Sequence, residues 1–143
     1  MIISELFYRE IEQLFSGIDQ NIAGIDDAGG RLRAFIEQAS RGIVENNDFF
    51  KMYVSFLTCE AQKPGTARML TTFFDGYVTR LAVIIRDGVG SGVFREVDAE
   101  CIARAAYSLM VGSIFIKYIM KVDIDVDYQN TVQIDLLLES IKK

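Results

Sequence analysis

Histidine and tryptophan are absent from the 143 residues, and proline occurs once, at Pro64. Without imidazole there is no Ser-His-Asp or Cys-His catalytic apparatus, no His-ligated zinc, and no side chain whose unperturbed charge changes near neutral pH. Cysteine is scarce, with only Cys59 and Cys101 present. They stand far apart and no secretory signal opens the chain, so they read as small apolar core residues of a reducing, cytoplasmic protein without a disulfide. Positive charge is also short: 15 Lys and Arg face 20 Asp and Glu, a net charge of −5. That is the wrong sign for a phosphate-binding surface, so this chain alone is not expected to grip DNA. The longest uncharged run in the C-terminal half is Ala105 to Ile116, between Arg104 and Lys117. A membrane span needs roughly 20 apolar residues, so this run reads as a buried helix and no membrane partner is expected.

Hydrophobic residues make up 50% of the chain and charged residues 24%, enough for one apolar core that holds without metals or cross-links. Strand-like alternation is nowhere sustained and helical spacing recurs throughout, so the fold class is all-α, a single domain of about six helices. Leu6, Phe7, Ile11, Leu14, Phe15, Ile18 and Ile22 form an apolar stripe for a first helix, about Ser4 to Ile22. After a turn over Gly24 to Gly30, Leu32, Phe35, Ile36, Ala39, Ile43 and Val44 trace a second, ending at Asn46-Asn47. Asp48 suits the N-cap of a third, Phe49 to about Gln62, and Pro64 the first turn of a long fourth running to about Gly88. Asp98 caps a fifth, to about Lys121, and the sixth covers about Asp127 to Ile141.

The last two helices carry more apolar residues than one core can cover, which points to a second copy of the chain on the opposite side. The expected homodimer interface is a four-helix packing built on Ile102, Ala106, Leu109, Ser113, Ile116, Ile134, Leu137, Leu138 and Ile141.

Motifs for phosphate or metal chemistry fail on inspection. Gly88-Val89-Gly90-Ser91-Gly92 has Val93 where a dinucleotide loop needs its third glycine, and Gly24 to Gly30 is followed by Arg31 instead of Lys-Ser or Lys-Thr. Asp123, Asp125 and Asp127 imitate a calcium loop, but Tyr128 and Ile134 occupy its glycine and glutamate positions. No metal, cofactor or catalytic residue is assigned, and the protein is not expected to be an enzyme. What remains is an aromatic and methionine set with polar tips nearby. Buried hydroxyls need partners, and a few convergent polar groups orient a ligand in an apolar cavity. The candidate ligand-binding residues are Phe49, Tyr53, Phe56, Met69, Phe73, Tyr77, Tyr107 and Met110, for a mainly apolar or aromatic small molecule.

Three stretches resemble the C-terminal ligand-binding and dimerisation domain of the tetracycline-repressor (TetR) family of transcriptional regulators. Ser4-Glu5-Leu6-Phe7 with Tyr8-Arg9-Glu10-Ile11 is similar to the start of the helix that leaves that family's DNA-binding domain. Ile84 through Asp98 is similar to its turn between the seventh and eighth helices, and Ala103 through Gly112 to the helix after it. The resemblance implies an effector site between the second and fifth helices and a first helix that acts as a lever on DNA-reading domains, in a repressor or an activator. The family's helix-turn-helix domain would precede Ser4, where Met1, Ile2 and Ile3 stand. DNA would therefore be reached only through an N-terminal domain not present in this chain. The alternative is a stand-alone helical interaction protein that pairs with a full-length relative and lacks DNA binding of its own.

Overall fold

Apolar residues spaced three and four apart build six α-helices in a computed structural model, which describes residues 2–143. They are α1 (Ile3–Ile22), α2 (Ala28–Glu45), α3 (Asn47–Leu57), α4 (Thr66–Gly90), α5 (Ala99–Ile114) and α6 (Val126–Ile141). A π-helical turn, Phe115–Ile119, continues α5. The all-α single domain expected from the periodicity is the fold observed.

Short polar side chains set four of the six starts. Asp27, Asn46, Asp98 and Asp125 each accept a hydrogen bond from the backbone N–H three residues on, at Gly30, Phe49, Cys101 and Tyr128. Gly29 and Gly30 thus lie in the first turn of α2, not in the loop before it, and Asn46 caps α3 in place of Asp48. Two ends fall short of the sequence-derived boundaries. At α3 the Thr58 hydroxyl donates to the Val54 carbonyl at 2.8 Å and the Glu60 N–H reaches back to Ser55, closing the helix at Leu57 rather than at Gln62. Pro64 stays in the connection, and α4 starts after Gly65, whose φ of 87° suits glycine. At α5 the Met120 N–H bonds the Phe115 carbonyl, five residues back, and Lys121 takes φ 63°, so regular helix gives way to a wider turn. The continuous helical stretch Ala99–Ile119 is nevertheless long and apolar enough to cross a membrane, with about a third of its residues buried. Arg104 and Lys117 both lie inside this stretch and do not end it, so the helix is longer than the uncharged run between them.

Helix α4, about 37 Å long by its 25 residues, is the central post. It buries Met69, Phe73, Tyr77, Leu81 and Ile85 against α1, α2 and α5. Helix α6 buries Ile134 and Ile141 in the core and adds polar ties: the buried Asn130 amide donates to Ser40 on α2 at 2.8 Å, and Gln133 donates to Ser113 on α5 at 3.1 Å. Its end is fixed where the Arg95 N–H meets the Ile141 carbonyl at 2.8 Å.

Both cysteines are exposed and free, which corrects the core assignment. Cys59 lies in the connection after α3, and Cys101 sits in the first turn of α5, where its thiol donates to the Asp98 carboxylate at 3.1 Å.

Gly88 is a packing requirement. A Cβ there would run into the ring of Phe94, which is 3% exposed, whereas at Gly90 it would meet only open space. Gly88→Ala should lower the unfolding free energy by about 1–3 kcal/mol, while Gly90→Ala should leave it unchanged or raise it by up to about 1 kcal/mol. Urea denaturation followed by circular dichroism separates the two.

Candidate functional site

The eight candidate ligand-binding residues come from three helices, and helical phase turns them inward. Phe49, Tyr53 and Phe56 recur along α3, Met69, Phe73 and Tyr77 along α4, and Tyr107 and Met110 on α5. All but Tyr107, which is partly buried, are buried. Their rings form one network. Phe73 lies 5.5 Å from Tyr53, 5.7 Å from Phe49 and 6.0 Å from Tyr107, and Tyr77 lies 5.2 Å from Tyr107. Phe56 joins through Phe7 on α1, at 5.0 Å. The prominent surface clefts lie away from this set, and Phe49 alone borders one, beside Leu14 and Asn46.

Hydroxyl groups are the site's main polar equipment. Tyr53 and Tyr107 share one hydrogen bond, 2.9 Å between their oxygens. One of them donates, so the other keeps an O–H to place. The Tyr77 hydroxyl is fully enclosed and has no partner among the described residues. An apolar centre therefore holds two unspent donors, which fit a hydrogen-bond acceptor on an otherwise apolar molecule. Burial pushes the phenols of Tyr53 and Tyr77 far above the usual tyrosine range, and the neighbouring Tyr107 adds to both shifts. Tyr107 is also raised by burial, with the Tyr53 hydrogen bond acting in the opposite direction. All three stay neutral at physiological pH, so they can donate hydrogen bonds but cannot act as bases.

The nine candidate interface residues divide. Ala106, Ser113, Ile134 and Ile141 are buried in this chain's own core; Ile102, Leu137 and Leu138 are half-buried; Leu109 and Ile116 are exposed, at 38% and 37%. With Ala103, Met110 and Ile114 also buried, the outward stripe of α5 is shifted to Ala105, Ser108, Leu109, Gly112 and Ile116, and that of α6 to Tyr128, Val132 and Leu136. Periodicity alone left the phase open because apolar residues lie all round these helices.

One residue was missed. In the sequence Arg31 reads only as the residue after a glycine-containing turn that breaks a phosphate-loop pattern, yet it lies in α2, and its Nε is buried without a hydrogen-bond partner among the described residues. Extending the Leu32, Phe35, Ala39 stripe backwards by one turn to the buried Ala28 would have placed it.

No family model matches the sequence, and no curated protein matches it. Solved structures do match. A protein from Saccharomonospora viridis described as a transcriptional regulator, in complex with choline, is 22% identical with a TM-score of 0.84, over 98% of this chain and 73% of its own. The transcriptional regulator FadR from Bacillus subtilis, in complex with stearoyl-CoA, is 15% identical with a TM-score of 0.79, over 94% of this chain and 72% of its own. The TetR-family regulator PfmR from Thermus thermophilus is 25% identical with a TM-score of 0.68, over 95% of this chain and 75% of its own. The fold of this chain is thus one found in TetR-type transcriptional regulators.

The three phenols have an alkaline consequence. Their unfolded value is near 10, about 1.4 kcal/mol accompanies each pH unit of difference, and the folded values lie higher. Stability is therefore fully present below about pH 10 and falls as pH rises further, by about 1.4 kcal/mol per tyrosine per unit. Phenolate absorbance from these three should appear together with loss of helical dichroism in an alkaline titration, not before it. Removing the unpaired hydroxyl by Tyr77→Phe should be neutral or stabilising by about 1–2 kcal/mol, whereas Tyr53→Phe, which strands Tyr107, should cost about 1 kcal/mol. Urea midpoints measured side by side check the order.

Proposed function

We propose that this chain is the effector-binding and homodimerising domain of a TetR-type transcriptional regulator. The observation that carries the reading is the likeness of nearly the whole chain to solved regulators, at TM-scores of 0.68 to 0.84. Over its length the chain offers what such a domain needs: a buried site with unspent donors, and a free apolar face.

The effector is a mainly apolar or aromatic small molecule that docks among Phe73, Tyr53, Tyr77 and Tyr107. Choline and stearoyl-CoA, bound by two of the similar proteins, differ in size and charge, so the shared fold leaves the choice to the lining residues. Here the lining is π faces and neutral hydroxyls, which suit an apolar ligand bearing an acceptor, and also a quaternary ammonium held by cation–π attraction. Because the rings are packed in contact, binding has to spread α3 and α4, and the aromatic contacts to Phe7 and Phe15 carry that displacement to α1. An effector that favours one placement of α1 over the other then biases a DNA-reading domain attached before it. Acid–base catalysis has no place here, since the site holds no group that ionises near neutral pH. DNA contact and a cytoplasmic location follow from the same reading.

The dimer forms through the outward stripes of α5 and α6, where Ala105, Ser108 and Gly112 let a second helix approach closely and Leu109, Ile116 and Leu136 supply apolar contact. Leu136 is 66% exposed in the single chain. Sedimentation equilibrium at micromolar concentration should give a dimer. Leu109→Glu combined with Leu136→Glu should give a folded monomer with an unchanged dichroism spectrum, because neither side chain supports the core. A wild-type chain that sediments as a monomer overturns the reading, and a double variant that remains dimeric relocates the interface.

A further inference from the structure

A second cleft, lined by none of the three tyrosines, carries its own recognition chemistry. It has a volume of about 490 Å³ and opens between the end of α1, the first turn of α2 and the later half of α4. Two guanidinium groups, Arg31 and Arg80, line it. Arg80 is already engaged: its Nε donates to the Asp19 carboxylate at 3.2 Å, its Nη1 to the Gly76 carbonyl at 3.3 Å, and its guanidinium stacks over Phe15 at 4.5 Å. Arg31 is not. Arg31, like Arg9, Arg68 and Arg95, has no carboxylate within 4.0 Å among the described residues, and it alone of the arginines has an enclosed Nε that donates to nothing. A buried guanidinium N–H without an acceptor is costly, and a planar carboxylate is the group its geometry matches. The wall beside it is hydrocarbon: Ile22 and Ile84 are buried, and Val83 stands 48% exposed at the cleft. Asp19 and Asp87 also line the cleft; Asp19 is paired with Arg80, and Asp87 is solvent-exposed, so water can screen it.

We propose that this cleft binds a small carboxylate with an apolar tail, the carboxylate paired with Arg31 and the tail laid on Ile22, Val83 and Ile84. None of the three tyrosines lines this cleft, so binding there does not require an effector at the aromatic centre, although Arg80 links the two through Phe15.

Octanoate is the probe, with octanol as its uncharged counterpart, titrated calorimetrically into the whole chain. Octanoate should bind saturably at one site per chain, and both octanol and the Arg31→Gln variant should weaken binding by at least about tenfold, the usual worth of one charge-assisted hydrogen bond. Should Arg31→Gln fail to fold, Val83→Asp alters an exposed wall position and should weaken octanoate binding by at least about tenfold, because the tail loses its apolar surface and would have to desolvate a carboxylate. No binding to the wild-type chain, equal binding of octanol, or undiminished binding to whichever of these variants folds would each overturn the proposal. Tyr77→Phe keeps the two sites distinguishable: it should leave octanoate binding unchanged, and a loss there together with full binding by Arg31→Gln would place octanoate at the aromatic centre, which sinks this site and leaves the effector reading standing.

Discussion

The contact of Phe73 with the rings around it is the constraint on which the rest of the structure depends. From its position on α4 it touches Phe15 of α1, Phe49 and Tyr53 of α3 and Tyr107 of α5, while Tyr77, one turn further on, meets Phe35 of α2 at 5.0 Å. Five of the six helices thus meet in one set of aromatic rings. Rings are large and rigid, and edge-to-face geometry tolerates little sliding, so the placement of each helix fixes that of its neighbours. A ligand entering such a cluster cannot be accommodated by one side chain alone. Tight packing converts a local insertion into movement of whole helices.

Helix α6 stands outside that cluster. It joins the core through Ile134 and Ile141 and is oriented by polar contacts, among them the Asn130–Ser40 and Gln133–Ser113 hydrogen bonds and the pairing of Arg33 with Asp135. Such ties fix orientation more than they add stability, since a net hydrogen bond contributes only about 1 kcal/mol. The arrangement leaves one side of α6 free to join α5 in a surface for a second chain while the aromatic centre is free to repack. In the proposed reading, separating the two surfaces would let a dimer persist while an effector comes and goes.

The aromatic members of the site were legible in the sequence because α3 and α4 place Phe49, Tyr53, Phe56, Phe73 and Tyr77 at three- and four-residue steps, and large aromatics at that spacing point inward. Helix order and number were legible for the same reason. Three kinds of feature were not. The end of α3 depends on a hydroxyl, that of Thr58, competing for a carbonyl, and periodicity carries no sign of that competition. The outward phase of α5 is hidden because Ala103, Ala106 and Met110 are as apolar as Ala105, Leu109 and Ile116 opposite them, so only packing decides. Arg31 was obscured by its glycine neighbours, which read as a turn until Asp27 is recognised as the cap that draws them into α2.

The hydroxyl of Tyr77 is the part of the site least explained by folding. Phenylalanine would fill the same space, keep the contacts to Phe35 and Tyr107, and avoid burying an unpaired polar group, a burden of about 1–3 kcal/mol. The same holds for Arg31, whose Nε loses water without gaining an acceptor. Stability alone would favour removing both donors. Two enclosed donors in different parts of one small domain are what sites leave behind when their acceptors arrive from outside, because a donor desolvated in advance strengthens its bond to the ligand that finally pairs with it. If both proposed sites hold, the weak points of the folded chain and its recognition points are the same atoms.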